Sequence, residues 1–222
     1  MSIKVSNLTF TIKEGDNNRN ILDNISHEFD EAKFTTISGP SGSGKTTFLY
    51  SLAGILNISS GKIDMMGKSL YDMTQKDRDK FRLENMGLIY QNLNLMTFMT
   101  IEDNILLPFY LQKKKIDKDI LDKIKEYLSL LNLNGVEKKS VGQLSGGEKQ
   151  RVAIIRSIIT KPKVILCDEP TASLDRANTI KFMEALMKIK SSENTTIIMV
   201  THDESVFVYG DVRLKIVDGH IT

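Results

Sequence analysis

Hydrophobic positions along this chain fall into short apolar runs that alternate with segments of helical period. Residues 3–12 ("IKVSNLTFTI") partly alternate apolar and polar, which predicts a strand with one covered face. "GDNNRN" at 15–20 is rich in turn formers, and "ILDNISHEF" after it predicts a second strand, antiparallel to the first. "FTTIS" at 34–38 is a β-branched run that stops at Gly39. Beyond the glycines, "KTTFLYSLAGIL" carries Phe48, Leu52, Ile55 and Leu56 at helical spacing. "MGLIY" at 86–90 predicts a strand, and so do "KVILCDE" at 163–169 and "TTIIMV" at 195–200. The last two are apolar without alternation, as in parallel strands covered on both faces. Residues 113–133 read as an amphipathic helix with Ile116, Ile120, Ile124, Leu128 and Leu131 on one face, and Lys113 to Lys115 on its solvated side. "GGEKQRVAIIRSII" starts with glycines and turns helical. Strands alternating with helices predict an α/β fold with a largely parallel sheet.

In such sheets ligands bind beyond the carboxyl ends of the strands. Three segments bearing chemistry follow strand ends, so they are predicted to share one edge. The first is "GPSGSGKT", in which Gly39, Gly44, Lys45 and Thr46 match G-x-x-x-x-G-K-[ST] between a strand and a helix. Glycines let the backbone curl around an anion, and the following helix adds its positive end. Gly39, Ser41, Gly42, Gly44, Lys45, Thr46 and Thr47 are therefore candidates for nucleotide binding, with Lys45 opposite the β- and γ-phosphates and Thr46 suited to Mg²⁺. The second is Asp168, which ends a buried run and would hold Mg²⁺, followed by Glu169, a candidate base for polarising an attacking water. The third is His202 in "VTHD", a modest signal by itself. Cys167 reads as a small core residue, and His27 and His220 as surface residues.

Bulk properties remove several function classes. The 222 residues suffice for one substantial core, and a net charge of +2 makes no case for a nucleic-acid partner. A single cysteine excludes an intrachain disulfide, which fits a reducing compartment. "MSIKVSNLTF" has no apolar signal core, and no run approaches the roughly 18 apolar residues of a membrane span. A cytosolic protein is expected, with any membrane role exercised through a partner.

"QLSGGEKQR" at 143–151 adds a second glycine-led helix start around Ser145, Gly146, Gly147 and Glu148, beyond what one γ-phosphate needs from one chain. Here the sequence resembles the ATP-binding-cassette (ABC) ATPases, over its whole length and with the motifs in family order. Walker A is "GPSGSGKT", the Q-loop glutamine matches Gln91, the signature is "LSGGEKQ", Walker B is "VILCDE", the D-loop is "SLD" and the switch histidine is His202. The resemblance implies one ABC ATPase domain over 1–222: a P-loop NTPase core, an antiparallel β subdomain and a helical subdomain at roughly 92–160. It also implies ATP and Mg²⁺ as ligands, with Gln91 at the metal or the lytic water. The signature would bind the γ-phosphate of a second subunit, Asp175 would communicate across that dimer, and Glu169 and His202 would serve hydrolysis. One position departs from the pattern. Ile12 occupies the place where an adenine-stacking aromatic is expected, with Phe10 two residues earlier on the same strand face, available either for stacking or for the core.

"NLMTFMTIEDNILLP", with little expected beyond "VDGHIT", looks like the lipoprotein-release, macrolide-export and antimicrobial-peptide-resistance group of bacterial ABC ATPases. That likeness implies an ATPase made separately from an integral-membrane permease and held at the cytoplasmic membrane face by it. A cell-division-type ATPase that regulates a membrane partner without transport is the alternative. Leu93 to Pro108 would contribute to a groove for the permease, with Met96 and Phe98 its better candidates and the rest core.

Overall fold

The computed structural model describes residues 3–15 and 17–222, and the backbone alone of Glu193; of the turn-rich segment at 15–20, Asp16 lies outside the described residues. Strands β1 (Ile3–Glu14) and β2 (Asn17–Phe29) pair antiparallel, and β1 also pairs antiparallel with β4 (Ser60–Met65), which continues to β5 (Lys68–Ser69). These four form one sheet in the order β2-β1-β4-β5.

The second sheet is built from β3 (Phe34–Ser38), β6 (Met86–Ile89), β7 (Val164–Asp168), β8 (Thr196–Val200), β9 (Val212–Val217) and β10 (His220–Ile221), in the order β10-β9-β3-β8-β7-β6. All its pairings are parallel except the last hairpin, β9 with β10. The strands at 34–38, 164–168 and 196–200 match the expected positions to within a residue.

Period-two alternation divides the central strands between two cores. Ile165, Cys167, Ile197 and Met199 join one cluster with α3 (Ile101–Leu111), α4 (Lys118–Leu130), α5 (Gly146–Ile158) and α6 (Arg176–Glu193). Val164, Leu166, Ile198 and Val200 join the other, with the antiparallel sheet and α1 (Lys45–Leu52). The parallel sheet is thus covered on both faces, which is why its central strands β7 and β8 are almost wholly apolar.

Helix α4 is shorter than the periodicity predicts, 118–130 against 113–133. The Asp117 side chain accepts from the Ile120 amide at 3.0 Å and caps the start, while Lys113 upstream and Asn132 downstream have φ of +54° and +55°. Lys113, Lys114 and Lys115 are exposed, as expected. Helix α1 likewise stops at Leu52, ahead of Gly54 at φ +64°. Among the described residues no helix is long and apolar enough to cross a membrane.

Candidate functional site

The carboxyl ends of β3, β8 and β7 lie side by side. The ladder continues past the strands, with the Thr201 amide donating to the Ile37 carbonyl and the Glu169 amide to the Val200 carbonyl, both at 3.0 Å. The glycine loop, Asp168 with Glu169, and His202 therefore share one edge, as the sequence predicts.

Two glycines shape the loop. Gly39 has φ +150° and a Cβ there would stand 2.0 Å from the Ile216 carbonyl oxygen; Gly44 has φ +99° and its Cβ would meet the Ile21 carbonyl oxygen at 2.7 Å. No other residue fits either place. Lys45 is buried, its Nζ donating to the carbonyl oxygens of Gly39 at 2.9 Å and Pro40 at 2.7 Å, so its charge is held over the loop. Ser43 Oγ is buried there with no hydrogen-bond partner among the described residues. An uncommitted buried hydroxyl, the open amides of the start of α1 and a fixed ammonium together suit a polyphosphate.

At the tip of β7 the buried Asp168 carboxylate accepts from the Thr46 hydroxyl at 3.0 Å. Glu169 turns off the strand at φ +43°, an uncommon conformation for glutamate, and its Oε2 lies 3.0 Å from His202 Nδ1. The carboxylate is only 20% exposed while the imidazole is 62% exposed. The two acids therefore diverge, Asp168 toward Thr46 and Glu169 toward His202. A cavity of about 810 Å³ adjoins them, lined by Gly39, Ser41, Gly42, Gly44, Lys45, Thr46 and Thr47, by Glu169 and His202, and by Phe10, Ile12 and Ile21. That size accommodates a nucleotide-sized ligand. Phe10 and Ile12 stand on the same wall, and Ile21 of β2 is a lining residue for which the sequence carries no motif signal.

Other expected site residues lie elsewhere. Gln91 is exposed just past β6 and is absent from that lining. Ser145 caps α5: its hydroxyl accepts from the Glu148 amide at 3.3 Å, and the Glu148 carboxylate accepts from the Ser145 amide at 2.7 Å. The Ser145 amide, and then its hydroxyl, hold the Glu148 carboxyl below the usual range. Asp175 caps α6, accepting from the Asn178 amide at 2.8 Å, and the same contact lowers its carboxyl. A Cβ on Gly147 would come within 3.3 Å of Asn178, so signature and D-loop are neighbours. Neither lines the cavity at the glycine loop of the same chain.

A second groove, about 620 Å³, runs between α2 (Gln75–Asn85), β6 and α3. Tyr90, Met96, Leu107, Pro108, Leu111, Arg82 and Arg156 are among its lining. Met96 lies in it; Phe98 is 80% exposed outside that lining, and Ile105 and Leu106 are core.

A parallel sheet with a glycine loop, a buried carboxylate and an acid–histidine pair at one edge defines a P-loop nucleoside triphosphatase. Residues 22–172 match the family described as ABC transporter. The lipoprotein-releasing system ATP-binding protein LolD of Buchnera aphidicola is 39% identical over 99% of this chain and 96% of its own. The putative hemin import ATP-binding protein HrtA of Staphylococcus haemolyticus is 35% identical over 100% and 99%. A solved dimer of the ATP-binding cassette MJ0796 in a post-hydrolysis state, bound to ADP and Pi, superposes with a TM-score of 0.91 at 31% identity, covering 99% of this chain and 96% of that one. This chain belongs to the ABC transporter family, as an ATP-binding subunit with ATPase activity.

Proposed function

We propose that this chain powers a bacterial transporter of the lipoprotein-release, macrolide-export or peptide-resistance type, by ATP-driven head-to-tail dimerisation coupled to a separately made membrane permease. The observation that carries it is the separation of the signature from the glycine-loop cavity within one chain. A nucleotide lying on Lys45 needs a second copy to bring Ser145, Gly146 and Gly147 to its γ-phosphate. The likeness to LolD along nearly both full chains favours the lipoprotein-release type, and the dimeric MJ0796 cassette at 31% identity favours the assembly.

The proposed residue roles are those the family motifs imply. The loop from Gly39 to Thr47 holds the phosphates, with Phe10, Ile12 and Ile21 beside the base. The Thr46 hydroxyl and Asp168 carboxylate, 3.0 Å apart, are hard oxygen donors of the kind Mg²⁺ selects, and Gln91 would join them. Bound Mg²⁺ would offset charge on the β- and γ-phosphates. Glu169 accepts a proton from the attacking water, and His202, paired with it, orients that carboxylate. The segment 92–160 acts as the helical subdomain, and the groove beside α2 and α3 receives the permease at the cytoplasmic membrane face.

The test is Glu169→Gln, which keeps shape but removes the base. With ATP and Mg²⁺ this variant runs as a dimer on a sizing column, and without nucleotide as a monomer. A variant that stays monomeric under both conditions, with and without permease, overturns the proposal.

A further inference from the structure

Arg156 is buried on α5 and directs its charge at the chain just beyond Gln91. Its two terminal nitrogens donate to the carbonyl oxygens of Asn94 at 2.7 Å and Leu93 at 2.6 Å. A planar guanidinium that makes two such bonds fixes orientation as well as distance. The far end of the same segment is held by α3. Buried Asn104 accepts from the Met96 amide at 2.7 Å and donates to the carbonyl oxygens of Met96 at 3.0 Å and Thr100 at 2.9 Å. At the near end Ile89 pairs with Cys167 in the parallel sheet, one residue before Asp168. Only Tyr90, Gln91 and Asn92 lie between the sheet and the residues gripped by Arg156.

Helix α5 is itself held beside the proposed base. Gln150, buried and less than two turns before Arg156, donates through Nε2 to the carbonyl oxygen of Pro170, directly after Glu169. One helix thus grips the chain just past Gln91 and just past Glu169. Gln91 is exposed and makes no side-chain hydrogen bond among the described residues, so its placement depends on how its backbone is held. We propose that Arg156 is a positioning residue for Gln91, holding it in place relative to Glu169 with α5 as the rigid bar between them. The inference rests on the hydrolytic role given to Gln91 above. An arginine present only to fill space would affect stability and leave catalysis by the folded chain alone.

The full-length chain tests this by ATPase kinetics with Mg²⁺, calorimetric ATP binding and amide hydrogen exchange. Arg156→Met keeps the unbranched stem and loses both donors. It lowers kcat about ten- to a hundredfold, the scale of a misplaced catalytic group, while the calorimetric ATP affinity stays that of the parent. Exchange over residues 90–97 quickens at least about tenfold, as expected when two hydrogen bonds to a charged group are lost, and exchange over α1 does not change. Gln91→Ala lowers kcat in the parent and adds nothing in the Arg156→Met background. Arg156→Lys, which keeps the charge but cannot hold both carbonyls in one plane, falls between the two, and the same cycle run on it decides the matter if Arg156→Met does not fold. Losses of kcat that multiply in the double variant overturn the inference alone, as does an unchanged kcat or unchanged exchange over 90–97 in a folded Arg156→Met chain. A parent in which Gln91→Ala leaves kcat unaltered would overturn the role of Gln91, and the inference with it.

Discussion

Lys45 and Gly39 show how single residues shape the glycine loop. Lys45 rests on two carbonyl oxygens of its own loop, so its ammonium is in place before any nucleotide arrives and little ordering is left to do on binding. Lys45→Ala is expected to lower ATP affinity by at least about tenfold, the scale of one charge-assisted contact, with ATPase activity lost. Retained hydrolysis in that variant would sink the assignment of the loop. At Gly39 the constraint is the backbone of β9: a methyl group would stand 2.0 Å from the Ile216 carbonyl oxygen, at a φ that L-residues avoid. Gly39→Ala should therefore destabilise the chain by about 2 kcal/mol or more. Urea unfolding measures this, and a change under half that size would mean the loop can move off β9 freely.

At the scale of elements, caps decide where helices begin, and two of them carry further consequences. Asp117 starts the helix later than the expected Lys113, because its side chain satisfies the Ile120 amide. Asp117→Ala should cost about 1 kcal/mol, read as a fall in Tm of about 2–4 °C for a chain of this length. The capping box at Ser145 and Glu148 gives a pH dependence. The Ser145 amide and hydroxyl depress the Glu148 carboxyl, so the folded state binds its proton less readily than the unfolded chain. That contribution is fully present above the ordinary glutamate pKa of about 4.3 and is lost as pH falls through the depressed folded value. The stability advantage of the parent over Glu148→Gln should hold at neutral pH and vanish in acid; an advantage that persists at low pH would show that the carboxylate charge contributes nothing to the cap.

For the whole molecule, the decisive geometry is what one chain leaves apart. The signature and the D-loop cap neighbouring helices, α5 and α6, away from the glycine loop. In a Glu169→Gln background, Ser145→Arg should leave ATP binding by the monomer unchanged and abolish the ATP-dependent dimer on a sizing column; a dimer of undiminished amount would show that the signature face is not the interface. Much of this was legible in the residues themselves. The β-branched run at 34–38 and the apolar runs at 164–168 and 196–200 declare buried parallel strands because side chains covered on both faces leave little room for charged positions, and "GPSGSGKT" declares a phosphate loop because Gly39 and Gly44 stand where no side chain fits. Helix α6 was not legible beforehand. Its apolar residues, among them Phe182, Met183, Leu186 and Ile189, take on meaning only once the sheet face they cover exists. Nor did anything mark Ile21, since its place in the cavity comes from neighbours distant along the chain. The sequence by itself determined the chemistry of the glycine loop and its acids, because backbone conformation and charge at those positions are local properties, while the trans role of the signature is what the family resemblance implies. Only the tertiary structure decided which groups meet: Thr46 with Asp168, Glu169 with His202, Phe10 and Ile21 with the glycine-loop cavity. Those contacts depend on strand order and helix packing, which are set by the burial of residues that carry no chemistry at all.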